Sequence, residues 1–409
     1  MRRLRSSPLI FLSLLALAAA GCGTTKIVTV ARAVTDHGTY QPASRIAAPS
    51  GFRSSPSSLR SPDARTSLVP RLSLAQLAGQ RIVYAYSGQT PPESLLARIR
   101  DGEAAGVIFF SPNISSLGQI RAVIRELQRA NTSSPAHEPL LMMTDQEGGL
   151  VRRLPGAPEL SERQIGESPD AAVLARQAGE GAGENLASVG INVNLAPVLD
   201  VFRQPGNFID QFQRSYGMNA QTVANLGGAF ISAQQQTGVA ATAKHFPGLG
   251  AATISQNTDE VPVQLNLSLH ELRSIDEAPY RTAIAAGVQL VMTSWAVYPA
   301  LDPRLPAGLS PTVIEGELRG RLGFRGVAIT DGIEAGALRS FGTPAQRGVL
   351  AAKAGGDLLL CSATHVEENS PAEGIAVLHG VASALATDRL NRANAEQAAE
   401  RVIALRSGR

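Results

Sequence analysis

Eight short apolar runs punctuate this chain, each followed by a loop and a stretch of helical spacing. They are "RIVYAYS" from Arg81, "GVIFFS" from Gly106, "LLMMTDQEGG" from Leu140, "INVNLAPVLDV" from Ile191, "AATAKHFPG" from Ala240, "VQLVMTSWAVYP" from Val288, "GVAITDG" from Gly326 and "GDLLLCS" from Gly356. Each is the length of a strand and too short for a helix, and most are rich in Val and Ile. Runs that are apolar throughout fit strands buried on both faces. Between them, "LGQIRAVIRELQRAN" puts Leu117, Ile120, Val123, Ile124 and Leu127 on one stripe. "TVIEGELRGRLG" and "LHELRSIDEAPYRTAIAAG" behave similarly, and several such segments end in Gly, a usual helix stop. Eight β/α alternations predict an α/β fold, a (β/α)8 TIM barrel forming a single catalytic domain over residues 72–409. An open doubly wound sheet is the alternative, but the Gly-rich phosphate-binding turn after its first strand is missing.

The chain before the barrel has a different character. Arg2, Arg3 and Arg5 precede the apolar run "LIFLSLLALAAA", which predicts an export signal over residues 1–21. That run is too short for a stable membrane span. The following "AAGC" resembles a bacterial lipobox with Cys22 as the lipidated residue, although Ala19 stands where leucine is commoner. The alternative is a simple secretory signal cut nearby. Residues 22–71, rich in Ser, Ala, Pro, Thr and Arg, predict a disordered tether, because such composition buries too little surface to offset chain entropy.

Charge and cysteines exclude some functions. The segment before Cys22 has three basic residues and no acidic one. Removing it takes 37 basic residues to 34, against 34 acidic. A neutral mature chain gives no support to nucleic-acid binding. Besides Cys22 there is only Cys361, inside an apolar run, where it reads as a small buried hydrophobe. There is no cysteine framework and no zinc spacing, and no metal or organic cofactor is expected.

Polar residues gather at the C-terminal ends of the runs, where barrel enzymes keep their sites. The third run ends in Asp145, Gln146 and Glu147. The fourth ends in Asp200 and leads to Arg214 in "QRSYG", and the fifth carries Lys244 and His245. The sixth carries Thr293, Ser294 and Trp295, and the seventh Thr330 and Asp331. Such a ring suits a small ligand with many hydroxyls. Each residue also has a plainer reading. Asp145 and Asp200 would cap helices or bridge within loops, and Arg214 would be a surface cation. Lys244 and His245 would pair structurally with carboxylates. Asp331 before Gly332 would form a turn. Trp295 would either sit in the core or offer an apolar face to a ligand.

"TDQEGGLVRRL", "NLAPVLDV", "RSYG", "KHFPGLG", "LSPTVIEGELRGRLGFRGVAITD" and "AGGDLLL" occur in that order over roughly Leu72 to Leu360. Together they resemble glycoside hydrolase family 3, in particular its single-barrel bacterial β-N-acetylglucosaminidases. The resemblance implies a retaining β-glycosidase with a carbohydrate substrate and Asp331 as nucleophile. It also implies sugar contacts from Asp145, Arg153, Arg214, Lys244 and His245. For an anchored lipoprotein it implies cell-wall fragments as substrate. A monomer is expected.

One part of the family pattern is altered. The loop after "KHFPG" supplies an Asp-x-His acid/base in the family's acetylglucosaminidases. Here those positions are Ser255 and Asn257, and Leu249 replaces a second histidine. Neither Ser255 nor Asn257 titrates near neutrality. The loop is one residue longer before "VPV", so Asp259 or Glu260 is expected to serve as the acid. His365, after the eighth run, is another candidate. A sugar-binding protein that hydrolyses slowly or not at all is the alternative.

Overall fold

The computed structural model describes residues 69–362 and 371–408. The export signal, Cys22, nearly all of the tether and His365 lie outside the described residues. The last three residues of the predicted tether are among the described ones. Residues Val69–Arg71 form a 3-10 turn, and Val69 is buried in the hydrophobic core.

The barrel strands are β1 (Ile82–Tyr84), β2 (Gly106–Ile108), β3 (Leu141–Thr144), β4 (Val193–Asn194), β5 (Ala240–Phe246), β6 (Leu290–Thr293), β7 (Val327–Thr330) and β8 (Leu359–Cys361). All pair in parallel, each with its neighbour in sequence, and β1 pairs with β8. A parallel bridge between Ile329 and Leu358 joins β7 to the start of β8 and closes the cylinder. The architecture is the expected (β/α)8 barrel.

Apolar runs without alternation are explained by the two faces of the wall. Val83, Ile108, Met143, Val193, Met292 and Ile329 belong to one buried cluster with Val402 of the last helix. Their neighbours Ile82, Tyr84, Val107 and Met142 join a second cluster with the surrounding helices. Burying an aliphatic side chain on either face contributes roughly 1.5–3 kcal/mol, so a polar residue on a strand costs more than one on a helix surface. Helix α1 (Leu117–Asn131) buries Ile120, Val123, Ile124 and Leu127, with Ser116 accepting from the Gln119 N–H at its N-terminus.

Three segments depart from expectation. The sixth run is not one strand. β6 ends at Thr293, and Val297–Tyr298 forms a separate antiparallel hairpin with Asp302–Pro306. The "LHELRSIDEAPY" segment breaks into a short turn, a π-helical turn over Leu272–Asp276 and a helix over Ala278–Ala285. Pro279, which has no N–H to donate, stands in the first turn of that last helix. The "TVIEGELRGR" segment is also wound as a π-helix, Thr312–Arg321.

The barrel's two ends differ. At the N-terminal end, helix α2 (Arg392–Arg406) covers the strands, and Arg401 and Arg319 both donate to the buried Asp357. The C-terminal end is left open to the loops that carry the functional groups.

Candidate active site

Loops after β2, β3, β4, β5 and β7, with the end of β8, line a cavity of about 410 Å³ at the barrel's C-terminal mouth. A larger groove, about 780 Å³, runs between helices on the outer surface but contains no strand-end residue. The chemistry therefore lies in the smaller, mouth cavity. Asp145, Arg153, Arg214, Lys244, His245, Asp259 and Asp331 all line it. The barrel brings these distant residues to one rim.

The floor is a network of paired charges. Lys244 Nζ donates to Asp145 Oδ1 at 2.8 Å and lies 2.7 Å from Glu147 Oε1. Arg214 forks onto Glu147 through Nε and Nη2, both at 2.9 Å. Arg153 approaches the other Asp145 oxygen at 3.6 Å and lies over the Phe110 ring. Burial opposes the charge on Asp145, but Lys244 and Arg153 hold its carboxyl well below the usual range. Glu147 is likewise lowered, by Arg214 and Lys244 against the cost of burial. Burial works against the Lys244 ammonium too, yet the two carboxylates hold it above its ordinary value. Paired in this way, the donors and acceptors are already aimed before a ligand enters.

Asp200 does more than shape its loop. It is fully buried, and its Oδ2 lies 2.7 Å from His245 Nδ1. Its Oδ1 accepts from the Leu249 N–H at 2.6 Å. Arg214 Nη2 lies 3.4 Å from His245 Nε2. A guanidinium only donates, so Nε2 is the acceptor and Nδ1–H donates to Asp200. The Lys244–His245 peptide is cis, and both side chains line the cavity. Beneath them, Glu162 accepts from the Val198 N–H at 2.9 Å and the Ser215 N–H at 3.1 Å. It thereby ties together the segments carrying Asp200 and Arg214. Burial, then Glu147, raises the Glu162 carboxyl well above its ordinary value.

Three further carboxyl groups line the cavity, those of Asp331, Asp259 and Glu334. Asp331 Oδ1 accepts from the Gly332 N–H at 2.8 Å. Glu334 Oε1 accepts from Ser362 Oγ at 2.8 Å, linking the ends of β7 and β8. Asp259 as a whole residue is exposed, but it lines the cavity, and the charges of Asp331 and Glu334 act on its carboxyl there. Loss of hydration, then the Asp331 charge, pushes it up to about 6.

Two predicted site residues are placed elsewhere. Trp295 is fully buried, with Nε1 donating to Gly332 O at 2.8 Å. Its ring packs where Gly308 leaves room, so it supports the Asp331 loop from the core and presents no face to a ligand. Glu260 is exposed and does not line the cavity. Asn257 accepts from the Asp259 N–H at 3.0 Å, and Ser255 Oγ lies 3.3 Å from Thr253 Oγ1. Both are turn residues here. Leu249 is buried among apolar side chains.

Sequence reasoning put Glu147 at the rim without a role, missed Glu162 and Glu334, and left Asp200 between the rim and a helix cap or loop bridge. Glu147 had a usable signal, since it follows Asp145 by two at the same strand end. Glu162 and Glu334 had none, because their roles depend on backbone groups and side chains of other loops.

A closed parallel barrel with this rim of carboxylates and paired cations is the framework of an O-glycosyl hydrolase. The chain belongs to glycosyl hydrolase family 3, whose N-terminal domain matches residues 72–405. A secreted glycosyl hydrolase of uncharacterised activity from Arthroderma benhamiae is 49% identical over 82% of this chain and 94% of its own length. A β-hexosaminidase from Thioalkalivibrio sulfidiphilus is 34% identical over 63% of this chain and 73% of its own. Among solved structures, a family 3 β-N-acetylglucosaminidase from Paenibacillus superposes with a TM-score of 0.77 at 35% identity, covering 82% of this chain and 62% of that one. A β-N-acetylhexosaminidase from Beutenbergia cavernae gives 0.74 at 32% identity, covering 82% and 98%.

Proposed function

We propose that this chain is a retaining β-glycosidase acting on β-linked N-acetylglucosamine or a related β-hexoside, with Asp331 as nucleophile and Asp259 as acid/base. The observation that carries the reading is the meeting of Asp331 and Asp259 in one cavity that the Lys244–Asp145–Glu147–Arg214 network also lines. The network supplies charged donors and acceptors for ring hydroxyls. The relatives' named activities supply the sugar.

The chemistry runs in two displacements. An Asp331 oxygen attacks the anomeric carbon as the glycosidic C–O bond breaks. The electron pair of that bond goes to the leaving oxygen, which takes the proton of Asp259. Asp259, now a carboxylate, then takes a proton from water as the water oxygen attacks the same carbon and frees Asp331. A carboxyl with an apparent pKa of about 6 holds a proton below that pH and accepts one in the second step.

Turnover of aryl β-N-acetylglucosaminide and aryl β-glucoside tests the assignment. As a required acid, Asp259 must be protonated, so kcat/KM should fall as pH rises through about 6. Asp259→Asn should erase that basic limb. It should also cost on the order of 10²–10⁴-fold with a poor leaving group and much less with a good one. An unchanged pH profile in the variant would remove Asp259 from the mechanism. Sugar binding without turnover would instead favour a catalytically weakened binding protein, a reading motivated by Asn257 at the expected acid position.

The setting we propose is outside the cytoplasm, with the enzyme a monomer anchored through a lipid on Cys22 and acting in cell-wall or other carbohydrate turnover. It rests on the export-type N-terminus and on the secreted relative. Cys22→Ala should move the protein from the membrane fraction to the soluble exported fraction. Equal membrane retention would rule out the lipid.

A further inference from the structure

Asp259 owes its place in the cavity to a contact with the loop that carries the nucleophile. Gly336 N donates to Asp259 O at 2.7 Å, and Ala337 N donates to Thr258 O at 3.1 Å. Thr258 is buried in that contact region. A β-carbon on Gly336 would lie 2.1 Å from Glu260 O, 2.3 Å from its carbonyl carbon and 2.7 Å from its Cα. Those are backbone atoms, so no side-chain rotation relieves the overlap. Gly336 is not among the glycines with positive φ. Its own conformation therefore accepts any residue, and only the close approach of the other loop demands glycine. Within its own loop, Asp259 is held by the Asn257 side chain and by the turn bonds from Glu260 N and Val261 N to Asn257 O. The turn presents Asp259, and the docking on Gly336 sets how far it reaches.

We propose that Gly336 is a positioning residue for the acid/base: by seating the Asp259 backbone on the Asp331 loop, it sets the spacing of the two carboxyl groups. The inference rests on the reading of Asp259 as acid. It makes proton donation depend on a glycine that touches no substrate atom. A displacement of about 1 Å in a catalytic group is enough to cost on the order of 10²-fold.

The test is kcat/KM for the full chain on a series of aryl β-glycosides whose phenols span a range of acidity. It is run on wild type, Asp259→Asn, Gly336→Ala and the double variant. Gly336→Ala should lose about 10²-fold with the least acidic phenol and little with dinitrophenol, matching the slope of Asp259→Asn. It should also shift or erase the basic limb of the pH profile. The double variant should be hardly worse than Asp259→Asn alone, because both changes remove one interaction. Ala337→Pro deletes the second docking bond without adding a β-carbon at 336. Position 337 lies in the first turn of the 3-10 helix Gly336–Phe341, where proline is tolerated. It should move the slope in the same direction, and it serves if Gly336→Ala does not fold. A steep Asp259→Asn with a wild-type slope in Gly336→Ala, or with a loss equal for all phenols, overturns the positioning role alone. A flat Asp259→Asn overturns the acid assignment, and this inference with it.

Discussion

Asp331→Asn is expected to lower kcat by on the order of 10⁴–10⁶-fold, the scale seen when a covalent nucleophile is removed from an otherwise intact site. The amide is close in size to the carboxylate and keeps an oxygen for the Gly332 N–H, which now donates to Asp331 Oδ1. The variant should therefore fold with little change in stability. It lacks the anion that, in the proposed mechanism, forms an ester with the anomeric carbon. The loop itself is anchored from below, since Trp295 Nε1 holds Gly332 O. Loss of activity would thus report chemistry and not collapse of the loop, and a thermal unfolding curve on the same sample checks this. Product stereochemistry adds a second readout. With Asp331→Ala and azide, azide attack on a β-glycoside gives the α-glycosyl azide, while the leaving oxygen still takes its proton from Asp259. Turnover indifferent to Asp331, or a wild-type β-product from the azide reaction, would end the nucleophile assignment.

Lys244→Met is expected to destabilise the fold by about 3–5 kcal/mol, as breaking a buried ion pair from one side does. Lys244 is 2% exposed and contacts two carboxylates. Methionine keeps most of its volume, so the cost comes from charge and not from a cavity. Glu147 retains Arg214, whereas Asp145 retains only the longer contact to Arg153. The pH dependence follows from the direction of the shifts. In the wild type, the Asp145 and Glu147 carboxyls are lowered. Their contribution is fully present above the unfolded carboxylate value of about 4. It is lost as pH falls through their folded values. Without Lys244 those carboxyls bind protons more readily, so the deficit should be largest near neutrality and shrink in acid. Urea unfolding at several pH values measures it, and Asp145→Asn added to Lys244→Met should recover part. A deficit below about 1 kcal/mol would class the pair with exposed ion pairs. The exposed Arg392–Glu396 contact is an example of those.

These two residues also mark how much was legible in the chain. Lys244 and Asp331 stand at the ends of apolar runs, so the barrel's polarity alone puts them at one rim. The partners that make them useful were less visible. Glu147 lies two residues beyond Asp145 and was within reach of the same argument. Asp200 looked like a loop residue because its contact with His245 joins two separate strand ends. Trp295 stayed open between core and ligand surface in the sequence, because a strand end fixes a residue's height in the barrel but not the side its ring faces.

What the sequence by itself determined is the closed barrel, its orientation, and the gathering of Asp145, Arg214, Lys244, His245 and Asp331 at one end. Strand and helix periodicities are local, and eight repetitions leave few ways to bury the runs. That Asp259 and not Glu260 lines the cavity, and where Asn257 and Gly336 stand, were decided only by tertiary structure. They depend on two loops from different strands touching backbone to backbone, and such a contact leaves no local pattern in either segment.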